Sequence, residues 1–126
     1  MRCVYIASPL SHDTKLGMEI HQAYARAACS HATSLGESVY CPHVTLTQWL
    51  DDKVPEQRAL GMAAGNAMLA RMDAIIFYID MGWSRGMKAE LASARKLGLT
   101  VETRRLPDSR ALWIAHDRCN DEMPGL

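Results

Sequence analysis

The stretch Asp73–Ile79, DAIIFYI, is followed directly by DMGWSRGMKAELASARKLG, residues 80–98. The first segment is a near-continuous apolar run, which is typical of a strand in the middle of a parallel sheet with both faces covered. The second opens on glycine and serine, continues with apolar residues at helical spacing, and reaches Gly98, a natural C-terminal stop. Together they predict a buried strand that leads through a short loop into a helix.

The segments on either side repeat this alternation. CVYIA, Cys3–Ala7, reads as a buried strand, and residues 14–35 have the spacing of a long helix. ESVYCP, residues 37–42, reads as a second strand, Pro55 opens a further helix, and LTVET, residues 99–103, reads as a last strand. An alternating order of strands and helices requires right-handed crossovers, so we expect a parallel sheet covered on both faces. The predicted fold class is α/β, with four to five strands.

The length of 126 residues predicts one domain, residues 1–126, with a core over about 1–106 and a tail over 107–126. In the tail, ALWIAH is either a fifth strand or an edge element, and the remainder reads as a loose end. The segment HVTLTQWLDDKV, residues 43–54, has no clean period and reads as a loop with a short helical turn. The N-terminal apolar run is too short for a signal peptide, and no stretch is long enough to cross a bilayer, so we expect a cytoplasmic protein.

Charge and cysteine content exclude several classes of partner. Fourteen Lys and Arg balance fourteen Asp and Glu without a long basic run, which argues against nucleic acid as a general partner. The cysteines form no CxxC pair, and the CPH at Cys41–His43 lacks a second ligand pair, so we predict neither a metal nor another cofactor.

The loop after the central strand is a candidate ligand site, because ligands of such sheets bind beyond the carboxyl ends of the strands. Gly82 and Gly86 allow a tight turn and a close approach, and the helix N-terminus can hold an anion such as phosphate, with Ser84 and Arg85 as further donors. The alternative is that Ser84 only caps the helix and the glycines serve packing.

Two carboxylates lie near this predicted edge. Glu90 falls in the second turn of the helix, at the margin of the stripe that faces the sheet, where a carboxylate is partly dehydrated. The alternative for Glu90 is a favourable acidic residue near a helix N-terminus. Asp80 follows the central strand, and we expect it to reach the same pocket, whereas Asp73 lies at the other end of that strand and is expected to be structural.

The segments VYIASP, MDAIIFYID and GWSRGMKAELASARKLGLTV resemble the nucleoside 2'-deoxyribosyltransferase family and its relatives, which include deoxynucleoside 5'-monophosphate N-glycosidases and small phage and bacterial proteins. The resemblance covers about residues 3–103. It implies a flavodoxin-like or Rossmann-like three-layer sandwich, a nucleoside or nucleotide substrate, and Glu90 as the nucleophile at C1'. It also implies that Asp80 or Tyr5 assists the leaving base, that Tyr5 and Ser8 line the pocket, and that Ser84 holds a 5'-phosphate, with Arg85 as a weaker correspondence.

Other residues complete the expected pocket. Pro9 and His12 lie in the first loop, at the ligand end, and His43 and Trp49 can stack on or hydrogen-bond to a base. The alternative for Trp49 is a place in the core or at a subunit contact. Members of the family form dimers or larger assemblies, so we expect a homo-oligomer. Gly61 and Gly65, four residues apart on one helix, are consistent with close packing against a neighbour.

These features leave two hypotheses. In the first, the protein is an N-glycosidase or deoxyribosyltransferase that uses Glu90. In the second, it keeps the pocket but only senses or sequesters a nucleotide, for example as a phage protein that counters a host signalling nucleotide. The departure of GWSRGMK from the acidic turn of the transferases favours a phosphorylated ligand in either case.

Overall fold

The computed structural model describes residues 1–107, so the tail and the ALWIAH segment lie outside the described residues. The elements follow the predicted alternation, with helical turns in the segment after the second strand. They are β1 (Cys3–Ala7), α1 (Lys15–Ser34), β2 (Ser38–Tyr40), α2 (Pro42–Thr45), a 3₁₀ turn (Leu46–Gln48), α3 (Pro55–Leu69), β3 (Ala74–Tyr78), α4 (Arg85–Leu97) and β4 (Thr100–Arg104). No helix in this part of the chain is long and apolar enough to cross a membrane.

The four strands form one parallel sheet in the order β2-β1-β3-β4. In the central pair of strands, β1 and β3, Val4 lies opposite Ala74. Strand β3 is buried along its whole length, as its apolar run predicts. The α/β sandwich with a parallel sheet and helices on both faces is therefore confirmed, with four strands among the described residues.

Successive side chains of a strand point to opposite faces, and this alternation separates two cores. Val4, Ile6, Ala74, Ile76 and Tyr78 pack with α1 on one face. On the other face, residues of α3 and α4 cover Tyr5, Ala7, Ile75 and Phe77. The face that a side chain at the end of a strand reaches is therefore decided by whether its position along the strand is odd or even.

Local signals fix the helix ends. Thr14 caps α1 by accepting a hydrogen bond from the Gly17 amide at 3.0 Å. Ser84 caps α4 in the same way, and Gly98 ends it with a φ of 70°, the left-handed conformation that glycine adopts at least cost.

The α1 face also carries a polar network. The Arg104 guanidinium donates two hydrogen bonds to the Glu37 carboxylate, at 2.6 and 2.7 Å, and Arg2 donates to the same carboxylate at 2.7 Å. The Arg104 hydrogen bonds are the main reason that the pKa of Glu37 falls to about 2. The network links β4 to the segments that precede β1 and β2.

Candidate functional site

A cavity of about 760 Å³ opens between α3 and α4, beside the α2 segment. Strands β1 and β3 are parallel, and each crossover helix runs back against the strand direction, so α3 and α4 both begin at the carboxyl edge of the sheet. Tyr5 and Glu90 both line the cavity, from β1 and α4 respectively. The site thus lies where parallel sheets bind their ligands.

Tyr5 and Glu90 form a hydrogen-bonded pair in this cavity. The Tyr5 hydroxyl donates to Glu90 Oε2 over 2.5 Å. Burial raises the pKa of the Glu90 carboxyl to about 7, and the hydrogen bond from Tyr5 opposes that rise. Burial, together with the charge of Glu90, raises the pKa of Tyr5 far above its usual value, so the hydroxyl keeps its proton and remains a donor. The arrangement is a half-buried carboxylate held by one strong donor.

The N-terminus of α4 forms one wall above this pair. Ser84, Arg85 and Gly86 line the cavity, and the Ser84 side chain accepts a hydrogen bond from the Met87 amide at 3.1 Å. The capping role of Ser84 is therefore present, and its hydroxyl proton is left to donate elsewhere. Gly82, with a φ of 80°, makes the preceding turn.

The opposite wall is formed by α3. Gly61 and Gly65 line the cavity along this helix, with Arg58, Met62 and Asn66 beside them. Gly65 lies next to the Tyr5 hydroxyl, since a Cβ built on Gly65 would be 3.5 Å from it. This wall therefore begins at the Tyr5–Glu90 pair and extends towards the carboxyl edge.

His43, from α2, adds a neutral ring to this wall. Burial lowers the pKa of His43 to about 4, although the backbone carbonyl of Ser8 beside the ring favours the protonated form. At neutral pH the imidazole is uncharged, with one N–H donor and one acceptor nitrogen.

The structure brings together six of the residues expected at the site and leaves six away from it. Those that line the cavity are Tyr5, His43, Ser84, Arg85, Gly86 and Glu90. Those that do not are Ser8, Pro9, His12, Trp49, Gly82 and Asp80.

The local structure explains why several of these residues do not line the cavity. Ser8 and Pro9 are buried, with Ser8 wholly inaccessible. His12 packs against Gly17 at the start of α1, where an added Cβ would clash with the ring. Trp49 is 63% exposed, outside the core as well as the cavity.

The expectation that Asp80 reaches the Glu90 pocket needs correction. Asp80 shares the alternation of Tyr78 and therefore points to the α1 face, away from α4. Its carboxylate accepts hydrogen bonds from the Tyr24 hydroxyl and, at 3.0 Å, from the Leu106 amide. Asp80 thus connects the end of β3 to α1 and to the segment after β4, and Asp73 accepts a hydrogen bond from the Cys3 amide at 2.7 Å.

The sequence reasoning missed the polar residues of the α3 wall, which are Gln57, Arg58 and Asn66. Gln57, Gly61 and Gly65 are spaced four apart, and Arg58 and Asn66 flank that line, so all five lie towards one side of the helix. That spacing was the available signal. It was not sufficient alone, because the helix shows apolar and small residues on every side.

No three His, Cys, Asp or Glu side chains are grouped so as to hold a metal ion within residues 1–107. The groups that the cavity offers for chemistry include two carboxylates, Asp52 and Glu90, together with a phenol, an imidazole and two guanidinium groups.

Comparisons with known proteins agree with this architecture. No curated protein matches the chain. The fold is similar to that of a 2-deoxyribosyltransferase from the psychrotolerant bacterium Bacillus psychrosaccharolyticus, with a TM-score of 0.59 and 19% identity over 82% of this chain and 72% of that chain. At this identity the likeness shows the fold alone. Residues 2–104 match the model of a family described as a domain of unknown function, DUF7768, and the chain therefore belongs to that family.

Proposed function

We propose that the protein cleaves the N-glycosidic bond of a 2'-deoxynucleoside 5'-monophosphate, with Glu90 as the nucleophile. The observation that carries the proposal is the Tyr5–Glu90 pair, 2.5 Å apart, in a cavity at the carboxyl edge of the sheet. The similarity of the fold to a 2-deoxyribosyltransferase supports a nucleoside-like ligand.

The reaction follows the logic of a retaining glycosidase. A Glu90 oxygen forms a bond to C1' as the C1'–N bond breaks, and the base leaves with the bonding pair and takes up a proton from solvent. Water then adds to C1', gives up one proton to solvent and releases the Glu90 carboxylate, or a second base adds in its place in a transferase. The Tyr5 hydroxyl orients the carboxylate and favours its ionised form, since its hydrogen bond lowers the Glu90 pKa.

The α4 wall suits the phosphate of such a substrate. Ser84, Arg85 and Gly86 combine a hydroxyl, a cation and helix-terminal amides within the same cavity as Glu90. A free nucleoside would leave these groups without an anion. We therefore assign the monophosphate as the preferred substrate and expect no metal or cofactor.

A second candidate, a nucleotide-binding protein without turnover, is favoured by one observation. With a pKa of about 7, Glu90 is partly protonated at neutral pH, and a neutral carboxyl both donates and accepts hydrogen bonds to a sugar hydroxyl. Such a protein would sense or sequester a nucleotide, for example a host signalling nucleotide bound by a phage protein.

A chromatographic assay separates the two. The protein is incubated with each deoxynucleoside 5'-monophosphate and each free deoxynucleoside, with and without a second base. Glu90→Gln serves as the inactive variant and Glu19→Gln, a change on α1, as the matched control. Base release that is lost only in Glu90→Gln supports hydrolysis, and base exchange supports transfer. Tight binding without turnover in the wild type favours the second candidate.

The pH dependence adds an independent check. Because the nucleophile must be ionised, turnover should rise with pH through about 7, the pKa of Glu90. A rate that is flat between about pH 5.5 and 8.5 contradicts the assignment of Glu90 as nucleophile.

A further inference from the structure

Two positions in the interior of α3 are occupied by glycine although their backbone conformation does not require it. A glycine inside a helix lowers stability relative to alanine, because it loses more conformational freedom on folding. Positive φ angles occur at Gly36, Gly82 and Gly98, and not at Gly61 or Gly65. Both residues are therefore helical positions that alanine can occupy without backbone strain.

Packing does not require these glycines either. A Cβ added at Gly61 meets only the Leu50 Cδ1 atom, at 3.4 Å, among the described residues. A Cβ added at Gly65 lies 3.5 Å from the Tyr5 hydroxyl and 4.0 Å from Pro42 Cβ. These are ordinary van der Waals distances, so the protein itself has room for a methyl group at both positions.

What the two glycines share is the cavity. Gly65 adjoins Tyr5 and so the Glu90 carboxylate, whereas Gly61 lies one turn, about 6 Å, nearer the carboxyl edge. At these two positions the helix presents backbone without a side chain to the cavity, and Met62 also lines it. The α4 wall, with Ser84 and Arg85, faces the same space from the other helix.

A separate observation on the α3 side also points to a ligand. His43 follows Pro42, whose Cβ would lie 4.0 Å from a Cβ added at Gly65, and His43 lines the same cavity. The Ser8 carbonyl lies beside its ring as a hydrogen-bonding neighbour. An uncharged imidazole that donates to this carbonyl keeps its other nitrogen as an acceptor for a group in the cavity.

We propose that the base of the nucleotide lies flat against the α3 backbone at Gly61 and Gly65, and that His43 accepts a hydrogen bond from its edge. The proposal rests on the proposed function, since it places C1' at Glu90 and the phosphate at the α4 wall. The part of the cavity that remains, on the α3 side, is then available for the base. Gly61 is thereby a specificity-determining residue, because its missing side chain sets the room for a planar ring.

The test compares Gly61→Leu and Gly61→Ala with Ala63→Leu, which introduces the same leucine side chain on the exposed side of α3. Calorimetry measures binding of the four deoxynucleoside 5'-monophosphates and of 2-deoxyribose 5-phosphate, which lacks a base. Gly61→Leu should weaken nucleotide binding by about tenfold or more and leave sugar phosphate binding within about twofold of the wild type. Ala63→Leu should change neither.

Two further measurements guard against a merely structural effect. Gly61→Ala should raise Tm by about 2–4 °C while weakening nucleotide binding, because helix propensity improves as the cavity narrows. His43→Phe keeps a ring but removes the acceptor, and should weaken binding of the monophosphates by about five- to tenfold. It should not affect 2-deoxyribose 5-phosphate.

The outcomes separate this proposal from the function on which it rests. A wild-type protein that binds no monophosphate and no sugar phosphate overturns the proposed function, and this inference with it. Wild-type binding that Gly61→Leu leaves unchanged overturns the inference alone. Equal weakening of the sugar phosphate, or a lower Tm in Gly61→Ala, also overturns it, because the glycine would then serve the fold.

Discussion

Replacing Glu90 by Gln should stabilise the protein at alkaline pH, because the ionised carboxylate is unfavourable in the folded state. Burial raises its pKa from 4.5 to about 7. At about 1.36 kcal/mol for each pKa unit, ionisation then costs the folded state up to about 3 kcal/mol more than the unfolded state. Since the side chain is only half-buried, solvent screens part of this, and we expect a net gain of about 1–3 kcal/mol for Glu90→Gln.

The sign of the effect fixes its pH window. A raised folded-state pKa contributes stability that is fully present below 4.5 and is lost as the pH rises through about 7. Wild type and Glu90→Gln should therefore be equally stable, within about 0.5 kcal/mol, at about pH 4.5, and should differ most above about pH 8. In the Glu90→Gln variant, the amide oxygen of the new side chain can still accept the hydrogen bond from Tyr5.

Urea denaturation at about pH 4.5 and about pH 8.5 measures this difference. The control is Glu19→Gln on α1, which should give a change below about 0.5 kcal/mol at both values. A variant that is no more stable than wild type at the alkaline value, or that is more stable by the same amount at both values, would refute the reasoning. Either result would mean that Glu90 is not dehydrated by the cavity.

Three further perturbations test other parts of the structure. Tyr5→Phe removes the donor that lowers the Glu90 pKa, so the Glu90 titration, followed by carboxyl NMR, should move to higher pH; an unchanged titration contradicts the pairing. Glu37→Gln weakens the ion pairs with Arg104 and should cost about 1–2 kcal/mol at neutral pH in urea denaturation. This cost should disappear as the pH falls from 4.5 towards 2, where the wild type also loses its carboxylate, and a cost that persists there counts against the ion pairs. Gly98→Ala forces a side chain into the left-handed region at the end of α4 and should lower stability by about 1 kcal/mol; an unchanged Tm argues against that conformation.

The sequence was sufficient for the elements and their order, because each has a strong local signal. The apolar run of β3 and the Ser84 and Gly98 boundaries of α4 act within a few residues, and tertiary contacts reinforce them. Glu90 could also be placed at the cavity, since its position depends only on helical periodicity and on which end of α4 comes first.

The face of the sheet on which each strand residue and each helix lies could not be predicted in the same way. Whether Asp80 or Tyr5 shares a face with α4 depends on the strand order, in which the chain crosses to the other side of β1 after β2. That order results from the packing of the whole domain, and no local pattern encodes it. The segment that contains His43 and Trp49 has no clean period, so its two aromatic side chains could be separated only by the structure.

The wall opposite α4 comes from one continuous piece of chain, residues 42–66, whereas Tyr5 and Glu90 come from segments before and after it. On the proposed function, the groups assigned to the base and the Tyr5–Glu90 pair therefore come from separate segments of the chain. We therefore expect an exchange of residues 42–66 between family members to change which base binds and to leave the Glu90 carboxylate and the Tyr5 phenol in place.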